Sequence, residues 1–205
     1  MILRTFMCLA VFLLAMINAP AGWAQAESPD ALVKRVSTDV LAAVNADPSI
    51  QAGDVNKIVA LVDVKVLPLL NFERMTATAA GPHWREATPD QRKALQEEFK
   101  TLLVRVYSGA LARSKDRTIE VRPMREAASK SEVVVRTEVR GGGDPVALDF
   151  RLESAGSSWK IHDLNVGGVW LVENYRGSFA QAIATGGIDG LIAALRAKNK
   201  AAARN

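Results

Sequence analysis

The sequence predicts an α+β domain in which helices pack on one face of a curved, antiparallel, four-stranded meander. Apolar residues recur at helical spacing between residues 28 and 111, and from Thr118 they alternate with polar residues, as in strands with one buried face. Removing an N-terminal leader of 26 residues from the 205 leaves 179, enough for one domain with an ordinary core. Helices and strands in separate blocks are typical of α+β folds.

The first 26 residues have the pattern of a secretory signal peptide. Arg4 precedes an apolar run from Phe6 to Ile17, and Ala24-Gln25-Ala26 suits a cleavage site. The run has about a dozen residues, whereas a membrane-spanning helix needs about 20. We therefore expect an exported domain of residues 27–199, followed by a disordered basic tail of residues 200–205.

Composition excludes several classes of function. The single cysteine, Cys8, lies in the leader, so the exported chain would have neither a disulfide nor a thiolate metal site. Without Arg4, 25 basic residues face 22 acidic ones, a net charge of +3. The basic residues alternate with acids and form no stripe with aromatic residues, which disfavours nucleic-acid binding.

Three helices are predicted before residue 82, from Pro29 to about Asn45, from Val55 to Val66 and from Asn71 to Gly81. Ser28-Pro29 supplies a capping residue and a first-turn proline. Pro68 ends the second helix because proline cannot continue the hydrogen-bond ladder.

The strongest local signal is Thr88-Pro89-Asp90-Gln91, which combines an N-cap threonine, a first-turn proline, an acidic residue and a capping-box glutamine. It predicts a long helix that continues to about Leu111.

The strands and the last helices follow from a change of period. Val146, Leu148, Phe150 and Leu152 alternate with polar residues, which predicts a sheet buried on one face. Gly186-Gly187 separates two C-terminal helices, Leu171 to about Thr185 and Ile188 to about Lys198. The four predicted strands are Ile119–Arg125, Glu132–Arg140, Val146–Glu153 and Trp159–Val166.

Catalytic chemistry has little support. His83 and His162 each lack a second histidine at ligand spacing, and the sequence has no nucleophile elbow, phosphate loop or His-Glu-x-x-His motif. We expect neither a catalytic nor a metal site. The alternative is an isomerase or hydrolase on a small helix-and-sheet cone, with Asp163 or His162 as the base.

Amphipathic aromatic residues are the more informative feature. Trp84, Trp159, Trp170, Tyr107 and Tyr175 each combine an apolar body with a polar tip, which suits the wet rim of a cavity. For each residue taken alone, packing in the core is the better explanation.

Several ordered motifs together resemble one family. They are Val66–Met75, Gly81–Gln91, Phe99–Tyr107, Trp159–Asp163, and Gly168 followed by Asn174-Tyr-Arg176 and Phe179. In these motifs the chain resembles the MlaC family, also called the toluene-tolerance or Ttg2 auxiliary family, over nearly all of residues 27–205.

The resemblance implies a periplasmic phospholipid-binding component of an ABC transport system that maintains outer-membrane lipid asymmetry. It implies a nuclear-transport-factor-like cone with extra helices, a monomer without enzymatic activity, and no cofactor apart from the phospholipid cargo. The implied partners are an outer-membrane lipoprotein–porin complex and an inner-membrane transporter with MCE domains. A carrier of another amphiphile, a hopanoid or an isoprenoid, remains the alternative.

The expected lipid-lining residues come from the predicted buried faces. They are Leu70, Phe72, Met75, Phe99, Leu103, Val106, Tyr107, Val135, Val139, Leu148, Phe150, Leu171, Tyr175 and Phe179. Docking to a partner is expected to use exposed basic residues such as Arg113, Lys115, Arg117 and Lys130.

Overall fold

The computed structural model describes residues 27–124 and 130–202. The predicted leader, the end of the first predicted strand and residues 203–205 lie outside these ranges. The helices are α1 Pro29–Ala46, α2 Pro48–Gln51, α3 Val55–Leu61, α4 Phe72–Ala80, α5 Pro89–Ala112 and α6 Leu171–Ala202. The strands are β1 Thr118–Val121, β2 Glu132–Val135, β3 Thr137–Arg140, β4 Val146–Ala155, β5 Ser158–Val166 and β6 Val169–Trp170.

The predicted helix starts are confirmed to within one residue, although Ser28, the expected capping residue of α1, makes no side-chain capping hydrogen bond. Thr88 and Gln91 form a reciprocal capping box at the start of α5. Asn71 caps α4 by accepting a hydrogen bond of 3.0 Å from the backbone N–H of Arg74. Gly81 ends α4 with a φ of +65°, a conformation that favours glycine.

The second predicted helix is only partly correct. After α3 the chain forms a π-helix at Val62–Val66 and a 3-10 helix at Leu67–Leu69. None of these eight residues is fully buried, so core packing does not hold the segment in regular helical geometry. The one-turn helix α2 was not predicted. Asp47 caps it by accepting a hydrogen bond from the backbone N–H of Ser49 at 2.8 Å.

Within residues 27–124 and 130–202 the sheet has six strands instead of the predicted four. The predicted strand Glu132–Arg140 is interrupted at Arg136, because the Asp149 carboxylate accepts the N–H of Thr137 at 3.2 Å and the Thr137 hydroxyl donates to the carbonyl of Leu148. β2 and β3 therefore pair separately with β4, and β1 pairs with β3. All strand pairs are antiparallel, and the short β6 extends the sheet beyond β5.

A β-bulge at His162 changes which residues of β5 face inward. Ile161 lies opposite Leu152 and Leu164 lies opposite Phe150, so one extra residue separates two positions on the same apolar face. Simple alternation would place Ile161 and Leu164 on opposite faces.

The two predicted C-terminal helices are confirmed within α6. Gly186 and Gly187 have non-helical dihedral angles, and the φ of +65° at Gly187 favours glycine. The second half of α6 continues through Lys200 to Ala202, three residues into the predicted tail.

The length and apolar composition of α6 would allow a membrane span. The glycine break divides the helix into Leu171–Thr185 and Ile188–Ala202, each of 15 residues, whereas a span needs about 20. Both halves bury apolar residues in the domain, including Phe179 and Leu191. In this structure α6 is a pair of core helices.

Helices pack on the apolar face of the sheet, and the predicted α+β class is confirmed. α1 contacts the sheet directly through Leu32 and Val33, whereas α4, α5 and α6 pack mainly against one another. A third, smaller core joins the end of α1 to α2, α3 and Val104 of α5.

Candidate binding site

Two apolar layers define the candidate site. The helix layer is a cluster of buried apolar residues that come mainly from α4, α5 and α6, and the sheet layer is a cluster of buried apolar residues from α1, β2, β4 and β5. No buried residue belongs to both layers. Partly buried side chains connect them, and the two that pack against both are Leu70 and Leu164. The interface between the layers therefore includes apolar side chains that are not fully buried.

Phe99 lies at the centre of the helix layer. Its ring centroid is 5.1 Å from Tyr175, 5.0 Å from Phe179 and 5.8 Å from Phe72, and the first two contacts are edge-to-face. Aromatic pairs at these separations gain energy beyond their area burial. The cluster therefore forms a firm apolar wall made by α4, α5 and α6.

Three valines continue the inward apolar faces but are exposed. Val106 lies seven residues after Phe99 on α5, which returns it to nearly the same side of the helix, and it is 51% exposed. Val146 lies on the same face of β4 as Leu148 and Phe150 and is 40% exposed. Val169 is 49% exposed and reaches this face through its pairing with Val166.

These valines mark one end of the molecule, which we call the open end. Val146 follows the turn after β3, and the N–H of Gly167, just before Val169, donates to the carbonyl of Ala147 at 2.9 Å. The segment after α5 reaches the same end, because the carbonyl of Asp116 lies against Gly141. The inward apolar faces are thus uncovered at one end, where the two layers meet solvent.

Tyr175 belongs to the aromatic cluster, and Tyr107 directly follows the exposed Val106 of the open end. Tyr175 is 8% exposed and Tyr107 is partly buried. Burial raises the pKa of both phenols, and the nearby Tyr107 raises that of Tyr175 further. Both are therefore neutral hydroxyls at neutral pH, able to donate a hydrogen bond.

A separate groove of about 470 Å³ lies on the outside of α4 and α5. Leu67, Leu70 and Phe72 form its apolar part, and Lys100 and Lys160 lie at its polar edge. Leu70 and Phe72 also pack against the helix layer, so they separate the groove from the domain interior.

Asp163 connects the sheet to α6. Its Oδ1 accepts hydrogen bonds from the N–H of Leu164 at 2.9 Å and of Val172 at 3.1 Å, and its Oδ2 pairs with Arg151 at 3.1 Å. Burial raises the pKa of Asp163, while these partners partly offset the shift. The Arg151 guanidinium stacks 3.8 Å from the centroid of the Trp170 ring. Asp163 is thus 3% exposed and engaged in structural contacts.

His162 lies beside a charged network on the polar side of the sheet. Arg74 pairs with Glu132 at 2.6 Å and with Glu153, and the Asn71 amide donates to Glu153 at 2.6 Å. Burial lowers the pKa of His162, and the positive charge of Arg74 adds to this shift. Its Nε2 is buried and has no hydrogen-bond partner among the described residues.

Among the described residues, no group of three or more histidine, cysteine, aspartate or glutamate side chains is placed to hold a metal ion. His83 contacts only Glu86 of these types, at 3.3 Å. The geometry of the described residues therefore offers apolar binding surface instead of a coordination site.

The predicted lining residues occupy several environments. Most are buried in one of the two layers or in α6, and several are partly buried between the layers. Met75, Phe99, Tyr175 and Phe179 belong to the helix layer, Val135 and Phe150 to the sheet layer, Leu171 is buried at the start of α6, and Leu70, Phe72, Leu103, Tyr107, Val139 and Leu148 are partly buried. Val106 is the exception, since it is exposed at the open end.

Sequence reasoning missed Leu164, which contacts both layers, and the exposed Val146 and Val169. The bulge at His162 hid Leu164 from the alternation pattern. Val146 could have been found, because it begins the same alternating series as Leu148 and Phe150.

Of the aromatic residues proposed to line a cavity, Trp159 is buried in the sheet layer and Trp84 packs against the helix layer, under Arg92. Trp170 is covered by Arg151. The three tryptophans are therefore structural contacts, whereas Tyr175 is buried in the helix layer and Tyr107 is partly buried on α5.

The family model described as MlaC protein matches residues 34–197, four fifths of the sequence. The chain belongs to the MlaC family. This MlaC-family chain is 26% identical over 165 residues to the toluene tolerance protein ttg2D of Pseudomonas putida, covering 80% of the chain and 77% of the relative. It is 23% identical over 169 residues to the intermembrane phospholipid transport system binding protein MlaC of Haemophilus influenzae, covering 80% and 79%.

A solved structure is closely similar to the MlaC-family fold described above. It is the phospholipid-binding protein of Ralstonia solanacearum in complex with a phospholipid, with a TM-score of 0.83 and 42% sequence identity. The match covers 88% of this chain and 99% of the Ralstonia chain. The agreement extends over the helices and the sheet together, which confirms the MlaC-like α+β fold.

Proposed function

We propose that this protein is a periplasmic carrier that binds a diacyl phospholipid with its acyl chains between the helix layer and the sheet layer. The observation that carries the proposal is the open end, where Val106, Val146 and Val169 continue two buried apolar faces yet remain 40–51% exposed. Exposed apolar residues that continue an interior surface mark a place where an apolar ligand enters.

The physical chemistry of a phospholipid explains why such a site must be deep. Each methylene group moved from water to an apolar site gains about 0.8 kcal/mol, so two acyl chains gain on the order of 20 kcal/mol. The head group has no such driving force and would remain at the open end. Phospholipid bound to the Ralstonia relative, at 42% identity, supports the same cargo here.

The carrier would move its lipid between an outer-membrane lipoprotein–porin complex and an inner-membrane ABC transporter with MCE domains. The name of the Haemophilus relative, the binding protein of an intermembrane phospholipid transport system, supports this role. Release into water would be very slow for so apolar a cargo, so we expect that delivery depends on contact with a partner at the open end.

The structural position of Asp163 disfavours the enzyme alternative. A base for isomerase or hydrolase chemistry must face the substrate, whereas Asp163 accepts two backbone hydrogen bonds and pairs with Arg151. The proposal therefore assigns no catalytic residue.

Native mass spectrometry of the protein purified from its own periplasm, followed by lipid extraction, tests the proposal. We expect one diacyl phospholipid per chain. A polycyclic triterpenoid or an isoprenoid in its place would favour the alternative amphiphile carrier. Protein that contains no lipid, and takes up none from phospholipid vesicles, would contradict the proposal.

A further inference from the structure

Tyr107 on α5 and Tyr175 on α6 are the only two tyrosines of the chain. The two helices pack against each other in the helix layer. The Tyr175 ring is fixed edge-to-face against Phe99, with centroids 5.1 Å apart. Tyr107 lies one helical turn after Leu103, which packs against the same layer, and directly follows the exposed Val106. The pair therefore lies where the buried apolar wall gives way to the open end.

Neither phenol hydroxyl has a hydrogen-bond partner among the described residues, and neither is one of their buried polar atoms that lack a partner. Both hydroxyls therefore reach open space, where they are free to donate to a ligand. Both phenols are neutral at neutral pH and so can donate. A ligand that fits them must present acceptor oxygens next to apolar chains.

We propose that the hydroxyls of Tyr107 and Tyr175 donate hydrogen bonds to acceptor oxygens at the junction between the acyl chains and the head group of the bound lipid. The inference depends on the proposed carrier function and adds the orientation of the cargo. Two groups of a diacyl phospholipid carry such oxygens, the ester carbonyls and the phosphate. The tyrosines thus fix how deeply the chains enter, while the apolar layers supply most of the affinity.

The test compares lipids that differ in one group. Delipidated protein is reloaded from equimolar mixtures of an ester-linked and an ether-linked phosphatidylcholine of equal chain length, and the bound ratio is measured by native mass spectrometry. A second mixture pairs the ester-linked phospholipid with the matching diacylglycerol, which has the esters but no phosphate. The variants are Tyr107→Phe, Tyr175→Phe and the double variant, each of which removes only hydroxyl oxygen.

We expect the wild type to bind one lipid of a pair in preference to the other. Each hydroxyl that donates to the group by which the two lipids differ should contribute about three- to tenfold to the bound ratio, as one ordinary hydrogen bond would give. Preference for ester over ether would identify the carbonyls, and preference for phospholipid over diacylglycerol would identify the phosphate. Either preference should weaken in each single variant and disappear in the double variant. Ser108→Ala is the matched control, because the Ser108 hydroxyl already donates to the carbonyl of Arg105.

Fluorine NMR of protein labelled with 3-fluorotyrosine supplies an independent readout, since two tyrosines give two signals. Both signals should shift on loading and differ between the preferred lipid and its partner. If the double variant discriminates between the lipids as the wild type does, the inference is wrong. Failure of the wild type to bind any lipid would instead contradict the proposed carrier function.

Discussion

The carboxylate of Asp163 on β5 accepts a hydrogen bond from the backbone N–H of Val172, 3.1 Å away in the first turn of α6. A strand residue therefore caps a helix that begins eight positions later in the chain. The contact places the helix start over the sheet, and Arg151 reinforces it by pairing with Asp163 and stacking on Trp170. Asp163 thus acts on the architecture of the domain.

Replacement of Asp163 should affect stability and leave lipid binding intact. Asp163→Ala removes the acceptor for two backbone N–H groups, so we expect the free energy of unfolding to fall by about 1–3 kcal/mol in urea denaturation. Asp163→Asn keeps an amide oxygen in place and should cost less. Loss of a substrate conversion in Asp163→Asn, with folding and lipid content unchanged, would instead support the enzyme alternative.

The ionisation of Asp163 should also make the stability of the wild type, but not of Asp163→Asn, depend on pH. Its pKa is raised above the ordinary 3.8 by burial, so the folded state holds the proton to higher pH than the unfolded state. Stability from this group is therefore greatest below about pH 3.8 and decreases as the pH rises through the folded pKa. Asp163→Asn should lack this decrease.

His162 should make the protein less stable in acid. Burial and Arg74 lower its pKa below 6.5, whereas Glu132, Glu153 and Asp163 act in the opposite direction. The unfolded chain takes up the proton first, so stability is lost as the pH falls below about 6.5. Urea midpoints at pH 7.5 and 5.5 should differ less in His162→Gln than in the wild type. His83→Gln, at a position with a 43% exposed side chain, should keep the wild-type difference.

The helices were predictable because their signals are local. The Thr88–Gln91 capping box and the Gly186-Gly187 break act over a few residues and appear in the structure as predicted. The interruption at Arg136 depends on the Asp149 carboxylate, 13 positions away in sequence, and the strand pattern alone does not reveal it. Contacts between distant segments override local alternation.

The proposed position of the lipid between the layers can be tested by introducing a larger side chain there. Leu164→Trp enlarges a partly buried side chain that contacts both layers. If the lipid lies there, bound phospholipid should fall several-fold by native mass spectrometry while the melting temperature changes little. In a closely packed core the same enlargement typically costs about 1–3 kcal/mol.

Leu152→Trp is the matched control for this experiment, because Leu152 is fully buried within the sheet layer. It should destabilise the protein strongly. Equal destabilisation by the two substitutions would show that Leu164 is ordinary core, and lipid binding would have to be sought elsewhere.

Basic residues beside the open end should act in delivery. Arg113, Lys115 and Arg117 follow α5, and none of them forms an ion pair with the other described residues. Changing all three to glutamate should leave lipid content unchanged and slow transfer to the inner-membrane partner about tenfold or more at low salt. The wild-type rate should fall with added salt.

The matched control for the docking experiment is Lys93, Lys198 and Lys200 changed to glutamate, which alters the net charge equally at exposed helical positions. This variant should transfer lipid close to the wild-type rate. If bound lipid falls in step with transfer in the Arg113, Lys115 and Arg117 variant, these charges support the site itself and our separation of binding from delivery is wrong.

The sequence predicted which residues lie in the interior of the domain, but it did not predict how they are arranged around the candidate site. Buried faces identified Phe99, Phe150 and Tyr175 correctly as interior residues. The packing of the helices over the sheet decides which interior residues contact one another and which lie at the interface between the layers. Val106 is an example. Its spacing from Phe99 places it on the inward side of α5, yet its side chain is exposed in the structure.

The outer edge of β5 is occupied by two short segments, Leu70 in a parallel bridge to Ile161 and β6 beside Asn165 and Val166. Unprotected sheet edges recruit strands from other molecules and start aggregation. A second copy of the chain would have to displace one of these segments before its own strand could pair with β5. The covering therefore disfavours self-association through this edge of β5.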